Sequence, residues 1–243
     1  MRMLAFAGRN TKEILRDPLT LFFGLGFPLV LILLLSAIQA NIPVELFEIQ
    51  HLTPGVTVFG LSFMTLFSAT VIAKDRKSSL LQRLYTTPLT AADFIFGYTL
   101  PIIPISVVQC IICYIAAVFL GLDITVNILY AVLFIIPISM LYIALGLLCG
   151  SALTDKQVGG ICGALLTNLS AWLAGIWFDL ELVGGTFKKI AYAFPFVHAV
   201  EMERAVLLGD FSGVFPHLWW VLGYALGLLA LAVIVFLRQM KRQ

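Results

Sequence analysis

Long runs without a charged residue alternate with short charged segments along the chain. Six such runs are present, at 18–44, 49–73, 94–122, 124–154, 157–178 and 211–237. A helix needs about 20 apolar residues to cross roughly 30 Å of hydrocarbon, so each run is long enough for one crossing. Lipid offers no partner for backbone N–H and C=O groups, and the runs lack the alternation of a barrel strand, so helices are expected. The pattern predicts an all-α membrane protein with six transmembrane helices.

The expected apolar cores of these spans are 20–38, 55–73, 97–120, 127–150, 158–178 and 217–237. The charges lie between them, chiefly in residues 1–17, 74–96 and 179–216. An uncharged run at 190–200 contains Pro195 and is too short to cross, so 179–216 is expected to form no further span.

The composition agrees with this class of protein. Hydrophobic residues make up 61% of the chain and charged residues only 12%, far from the usual values for a soluble domain. The four cysteines lie inside predicted spans and the three histidines are scattered, so we expect neither disulfides nor a metal site. These residues are Cys110, Cys113, Cys149, Cys162, His51, His198 and His217.

The distribution of basic residues predicts the orientation, because short loops rich in Lys and Arg are retained in the cytoplasm. Twelve of the 15 fall on one side of the six-span arrangement, and only Lys188, Lys189 and Arg204 fall on the other. The twelve are Arg2, Arg9, Lys12, Arg16, Lys74, Arg76, Lys77, Arg83, Lys156, Arg238, Lys241 and Arg242. Both termini are therefore expected in the cytoplasm. All four tryptophans lie towards the opposite ends of spans five and six, where amphipathic rings favour the interface.

Residues 1–17 have the pattern of an amphipathic helix. At 100° per residue one side carries Met3, Leu4, Ala7, Thr11, Ile14 and Leu15, and the opposite side carries Arg2, Arg9, Glu13 and Arg16. Such a helix favours the membrane surface, although a basic leader that only sets the topology has the same pattern. Pro18 is expected to end it.

The chain lacks the motifs of an energy-converting enzyme. No Asp, Glu, Lys or Arg lies within the six runs, which argues against ion coupling in this chain. No phosphate-binding loop and no cluster of catalytic side chains is present, so no catalytic residue is predicted and the chain is not expected to be an enzyme. If the chain does work, the energy must come from elsewhere.

The loop at 74–96 is the longest charged segment between spans on the predicted cytoplasmic side. Pro88 divides it, and Thr90 with Asp93 forms a capping-box pattern that starts a new helix towards span three. A helix, a turn and a second helix are expected. Such a segment fits a docking surface, although a solvated basic loop without a partner remains an alternative.

The order of these features resembles the membrane subunits of ABC-2 type transporters, which include drug-resistance exporter permeases and share a fold with the G-type half-transporters. The resemblance rests on the N-terminal helix, the six spans, the segment from Lys74 through Thr87-Pro88-Leu89 to Asp93, and the stretch 192–209. It covers nearly the whole chain, which would then be a single transmembrane permease domain, 1–243.

The resemblance implies a permease of the cell membrane that forms a homodimer or heterodimer and docks separate ATPase subunits. ATP and Mg would be bound by those partners, with no cofactor in this chain and no nucleic acid involved. Residues 182–209 would dip into the outer leaflet as short helices. The coupling helix would contain Arg83, Leu84, Tyr85, Thr86, Thr87, Pro88, Leu89 and Thr90.

Spans two and five would face each other across the substrate pathway in this family. The candidate pathway residues are Phe59, Ser62, Phe63, Thr65, Asn168 and Trp172. The alternative for each is ordinary packing or contact with lipid, and Gln109 in span three is open to the same two interpretations.

The expected function is an ATP-driven exporter of an amphipathic or hydrophobic molecule, such as a drug, a peptide antibiotic or a lipid. Two alternatives remain at this point. A channel or secondary carrier would transport without an ATPase, and a membrane scaffold or immunity protein would act by binding a partner.

Overall fold

The computed structural model describes residues 2–42, 47–78 and 90–240, and within these ranges every regular element is a helix. Segment 155–173, labelled α7, consists of Asp155–Val158, Gly159–Leu166 and Thr167–Leu173. The helices in chain order are α1 (Arg2–Leu15), α2 (Pro18–Gln39), α3 (Ile49–Lys77), α4 (Ala91–Thr99), α5 (Ile102–Phe119), α6 (Asn127–Ala152), α7 (155–173), α8 (Leu180–Val183), α9 (Gly185–Ala193), α10 (Pro195–Leu208) and α11 (Phe211–Met240).

Five stretches of the described chain are long and apolar enough to cross a membrane. They are Pro18–Gln39, Ile49–Lys77, Ala92–Phe119, Asn127–Ala152 and Phe211–Arg238. They correspond to the predicted spans one, two, three, four and six, the third of which ends one residue before the predicted 120. The structure thus confirms an all-helical membrane protein with these five helices.

The predicted fifth span, 158–178, differs from the other five. Its helix ends at Leu173, five residues earlier than expected. The chain then turns through Gly175, which has a φ of +63°, a conformation that side chains with a Cβ rarely adopt. Asp155 and Lys156 also lie inside its first turn, so α7 is less apolar than the other long helices. The count of six spans stays a prediction.

Helix α3 forms the centre of the bundle. Side chains from Leu52 to Asp75 are buried on every side of this helix, which packs against α2, α5, α6, α7 and α10. An apolar helix that is buried all round belongs to the interior of a bundle rather than to its lipid-facing surface. Any movement of the surrounding helices must therefore change their contacts with α3.

The Gly146-x-x-x-Gly150 pair brings α6 close to α3 within one chain. A Cβ at Gly146 would lie 2.6 Å from the carbonyl oxygen of Thr65, and one at Gly150 would lie 2.8 Å from the Cα of Ala69. The Thr65 hydroxyl donates a hydrogen bond of 2.8 Å to the carbonyl of Tyr142 at the same crossing. Small residues thus allow close backbone approach here, as they do in other membrane helices. By contrast, a Cβ at Gly223 or Gly227 would meet only open space.

Prolines affect the spans in different ways. The helix is interrupted between Thr99 and Ile102, at Pro101, whereas Pro137 lies within the continuous helix α6. In α2 a π-helical stretch, Phe22–Gly26, directly precedes the turn that contains Pro28. Because proline removes a backbone donor, a local change in winding is one way to re-satisfy the freed carbonyl groups.

The segment between α7 and α11 folds into the short helices α8, α9 and α10. Gly184 adopts a positive φ between α8 and α9, and Gly209 does so between α10 and α11. Helix α10 packs against α3, α6 and α11, and most of its side chains are buried. This segment therefore belongs to the helical bundle, and none of its three helices is long enough to cross a membrane.

Candidate functional site

One carboxylate joins three helices at the end of the bundle that carries α1. Arg9 of α1 donates from Nη1 to Oδ2 of Asp75 at 2.6 Å and from Nη2 to Oδ1 at 2.7 Å. The hydroxyl of Tyr98 in α4 donates to the same Oδ2 at 2.7 Å. The Asp75 side chain is only 1% exposed, so these donors compensate for the burial of its charge.

A second set of contacts fastens α1 to α4. The ring of Phe6 lies over Gly97, where any Cβ would collide with it, and packs edge-on against Tyr98 at 5.0 Å between centroids. The side-chain amide of Asn10 donates to the carbonyl of Gly97 at 3.0 Å. Aromatic packing and a buried hydrogen bond together fix the position of α1 relative to α4.

The two residues after Asp75 extend this junction to α6 and α7. Arg76 donates to the carbonyl oxygens of Gly150 at 2.9 Å and Leu153 at 3.0 Å, at the C-terminus of α6. A cation at this position satisfies terminal carbonyl groups and complements the helix dipole. Lys77 forms an exposed ion pair of 3.3 Å with Asp155 at the start of α7. The C-terminal end of α3 is thus attached to α1, α4, α6 and α7, and we call this set of contacts the α3 junction.

The predicted docking segment leaves the bundle at the α3 junction and returns to it. Arg83, Leu84, Tyr85, Thr86, Thr87, Pro88 and Leu89 lie outside the described residues. Thr90 is described, and it caps α4. Its hydroxyl accepts from the Asp93 amide at 3.2 Å, while the Asp93 carboxylate accepts from the Thr90 amide at 3.0 Å, which confirms the predicted capping box.

The six candidate pathway residues divide into two groups. Phe59, Ser62, Phe63 and Thr65 are buried within the chain, whereas Asn168 and Trp172 are exposed on α7. Phe59 and Phe63 pack edge-on at 5.7 Å, and Phe59 also contacts Trp177 at 5.4 Å. The structure therefore does not bring the six residues into one cavity of a single chain.

The Ser62 and Asn168 side chains among these candidates, and the amide group of Gln109, already donate hydrogen bonds to nearby carbonyl groups. Ser62 donates to the carbonyl of Phe59 at 2.6 Å, and Asn168 donates to the carbonyl of Ala164 at 2.8 Å. Gln109 donates to the carbonyl of Thr57 at 3.1 Å, so it connects α5 with α3. These bonds are compatible with structural roles for the three side chains. Their assignment to a pathway stays a prediction.

The opposite end of the bundle holds a buried acid that the sequence pattern did not single out. Glu203 of α10 is fully buried, and its Oε1 accepts a hydrogen bond from the hydroxyl of Tyr114 at 3.0 Å. Burial raises the pKa of Glu203 to about 8. The sequence feature that could have identified this buried acid is the position of Glu203 two residues after Glu201, on the inward side of a mostly apolar helix.

Two histidines meet where α10 packs against α11. The Nδ1 atoms of His198 and His217 are 2.8 Å apart, and Trp220 stacks on His198 at 4.8 Å between centroids. Burial lowers the pKa of His198. Across residues 2–42, 47–78 and 90–240 no three His, Cys, Asp or Glu side chains form a metal-binding arrangement. The histidine pair joins α10 to α11.

Long apolar helices packed around a buried central helix are the architecture of a membrane protein with several spans, and the family match identifies its class as membrane transport permease. The chain belongs to the ABC-2 type transporter family, whose membrane-domain model matches residues 2–208. It is also similar to "Putative transport permease ycf38" of Porphyra purpurea, with 32% identity over 123 residues. That match covers 48% of this chain and 42% of the relative, so the chain matches less than half the length of this curated protein.

Proposed function

We propose that the chain is the membrane subunit of an ATP-driven exporter whose energy comes from a separate ATP-binding-cassette ATPase. Family membership supports this proposal, and the structural observation that carries it is the position of Asp75. This buried carboxylate connects α1, α3 and α4, the last two of which flank the docking segment. Displacement of that segment by an ATPase would act directly on the central helix of the bundle.

We propose further that the chain crosses the membrane six times, with α7 as the fifth span and both termini in the cytoplasm. The contacts of Arg9, Arg76 and Lys77 gather basic segments at one end of the bundle. Basic residues favour the cytoplasmic side, which supports this orientation. Helix α1 would then lie at the inner membrane surface, and α8 to α10 would enter the outer leaflet from outside.

The cargo that fits this proposal is an amphipathic or hydrophobic molecule, such as a drug, a peptide antibiotic or a lipid. Asn168 and Trp172 are exposed on α7, where a second permease copy would complete a pathway between two chains. Phe59 and Phe63 lie on the neighbouring helix α3 and would supply apolar surface if it opened. Dimerisation therefore belongs to the proposal.

The test is co-purification of the chain with the ABC ATPase expressed beside it. We expect Thr87→Glu combined with Pro88→Ala to abolish both ATPase recovery and ATP-dependent transport. Thr186→Glu is the matched control, because it adds the same charge to an exposed site on α9. The control should retain both properties.

Unchanged ATPase recovery by the double variant would contradict the proposed docking segment. Uphill transport by the reconstituted chain alone, without ATP, would contradict the exporter assignment. Equal membrane insertion and equal heat stability of the two variants would show that a loss of recovery reflects docking rather than misfolding.

A further inference from the structure

Helix α1 has three faces with different surroundings. Phe6, Asn10 and Ile14 are buried against the bundle. A second face, formed by Leu4, Ala7, Thr11 and Leu15, lines an apolar groove. A third face carries Arg9, Lys12, Glu13 and Arg16. The second face is thus apolar but not used to hold α1 against α3 and α4.

The groove lies between α1, α2 and the start of α5, and its volume is about 410 Å³. None of the residues that line it is ionisable, and the Thr11 hydroxyl is satisfied by the carbonyl of Ala7 at 2.9 Å. The groove is open to the surroundings, since Leu4 is 64% exposed and Val108 is 45% exposed. Its lining consists of Leu4, Ala7, Thr11, Leu15, Leu21, Leu25, Leu100, Pro101, Pro104, Ile105 and Val108.

The size of the groove favours a flexible chain over a helix. A helix about 10 Å in diameter, rising about 1.5 Å per residue, would place only about one turn in this volume. A single turn buries too little surface for a specific helix contact. An acyl chain is unbranched and can follow the bend at Pro101, where the helix is interrupted.

Two cations lie beside the groove. Lys12 directly follows the groove residue Thr11, and Arg16 directly follows Leu15, so each is turned about 100° from the apolar face. Both side chains are exposed, and neither forms an ion pair within the part of the chain that the structure describes. Their charges are therefore available to an anion at the mouth of the groove.

The acidic residues nearby are already engaged. Glu13 pairs with Arg9 at 2.6 Å. The Asp17 carboxylate accepts from the amides of Leu19 at 3.2 Å and Thr20 at 3.3 Å, which caps the start of α2. Lys12 and Arg16 are therefore available to an anion, and Asp17, which is hydrogen-bonded but has no ion pair among the described residues, is the acid that lies beside them.

We propose that this groove binds one anionic phospholipid, with an acyl chain against Leu4, Ala7 and Leu15 and the headgroup phosphate between Lys12 and Arg16. In the proposed topology the lipid comes from the cytoplasmic leaflet. Its binding requires neither an ATPase nor a transported substrate. The bound lipid would fill the space between α1, α2 and the start of α5.

The charge component is tested with the full chain in detergent by native mass spectrometry. Phosphatidylglycerol and phosphatidylcholine with identical chains are added in equal amounts. Each cation near a membrane surface favours anionic lipid by about 1 kcal/mol, so we expect Lys12→Gln with Arg16→Gln to reduce phosphatidylglycerol retention by roughly thirtyfold and to leave phosphatidylcholine unchanged. Lys156→Gln with Lys189→Gln removes two exposed charges elsewhere and should retain the preference.

The apolar component is tested with Val108→Trp, which fills the groove from α5. Ile115→Trp is the matched control, because Ile115 is on the same helix, is 53% exposed and does not line the groove. We expect Val108→Trp to remove the retained phosphatidylglycerol, whereas Ile115→Trp keeps it. If the two variants are equally heat-stable without lipid, the loss of phosphatidylglycerol from Val108→Trp is due to the filled groove and not to misfolding.

Three results would overturn the proposal. One is equal retention of the two lipids by the unaltered chain, and another is equal lipid retention by Val108→Trp and Ile115→Trp. A shift of Val108→Trp between monomer and dimer would be the third, because it would identify a second copy of the chain as the occupant. If Val108→Trp does not fold, the pair of charge variants still decides the outcome.

Discussion

Tyr114 of α5 donates a hydrogen bond to Glu203 of α10 at 3.0 Å, and this bond links a membrane-crossing helix to the segment between α7 and α11. Glu203 is fully buried, and its second oxygen, Oε2, has no hydrogen-bond partner within the described residues. Because its pKa is raised to about 8, the carboxyl group keeps its proton at neutral pH. The contact between the two helices should therefore depend on pH.

The first prediction concerns this dependence. Between pH 4.5, where the acid ionises in the unfolded chain, and about pH 8, the folded chain holds one more proton. Stability should therefore fall as the pH rises through this window, by about 5 kcal/mol for an ideal shift of this size. Glu203→Gln cannot ionise at this position, so the stability of the variant should lack this dependence on pH.

Heat unfolding in detergent between pH 5 and 8.5 checks it. The wild type and Glu203→Gln should unfold at similar temperatures at pH 5, and the variant should be the more stable at pH 8. Glu181→Gln is the control, since Glu181 is an exposed acid paired with Lys188. Parallel profiles for the wild type and Glu203→Gln would contradict a protonated Glu203.

A second prediction addresses the ion pair of Arg9 with Asp75. Arg9→Ala leaves a buried carboxylate with Tyr98 as its remaining donor, so we expect a loss of roughly 2 kcal/mol. A double-mutant cycle with Asp75→Ala should give a coupling energy of about 1–3 kcal/mol. Chemical unfolding in mixed micelles provides the measurement.

Lys77→Ala is the matched control for this cycle, because its pair with Asp155 is exposed and should contribute less than about 1 kcal/mol. A coupling energy between Arg9 and Asp75 as small as this value would mean that α1 is not fastened to α3 through the ion pair.

A third prediction uses two glycine pairs with the same spacing. Gly146→Ala places a Cβ against the backbone of Thr65, and the resulting separation of α6 from α3 should cost about 1–3 kcal/mol. Alanine favours a helix over glycine by about 1 kcal/mol, and this gain is smaller than most of the expected packing cost. Gly227→Ala meets open space and should be neutral or slightly stabilising. Equal melting temperatures for the two variants would contradict the close packing at Gly146.

The fourth prediction tests the orientation with single cysteines in a chain whose four natural cysteines are replaced. Thr186→Cys should react with a membrane-impermeant maleimide on intact cells. Lys156→Cys should react only after the membrane is permeabilised. Both positions are exposed, so accessibility within the protein does not limit either reaction. The reverse pattern would place the α3 junction outside the cell and would remove the basis for ATPase docking.

The positions of five long helices follow from the sequence because hydrocarbon excludes charge over a fixed thickness. The same rule placed the C-terminal end of the fifth predicted span too far along the chain. An uncharged run continued to Phe178, but Gly175 adopts a left-handed conformation that ends the regular structure earlier. Charge patterning detects the limits of an apolar run, and it does not detect a turn within that run.

The sequence showed the charged residues of the α3 junction, but it did not show which of them contact one another. Periodicity assigned Arg9 to a solvated face of α1, whereas the guanidinium group reaches the buried Asp75. Phe6 lies on the polar side of the same projection, yet it is buried over Gly97. A single apolar face was expected, but a helix in contact with both protein and lipid has two, and tertiary packing determines which residues belong to each.

The continuity of α3 has a mechanical consequence. Its 29 residues span about 43 Å, and its one proline, Pro54, lies close to its first turn. The stretch from Val56 to Lys77 therefore resists sharp kinks, because a kink would break backbone hydrogen bonds and no proline lies within this stretch. A shift or rotation imposed at Asp75 must reach the phenylalanines at positions 59 and 63 with little attenuation, so the two ends of this helix cannot change position independently.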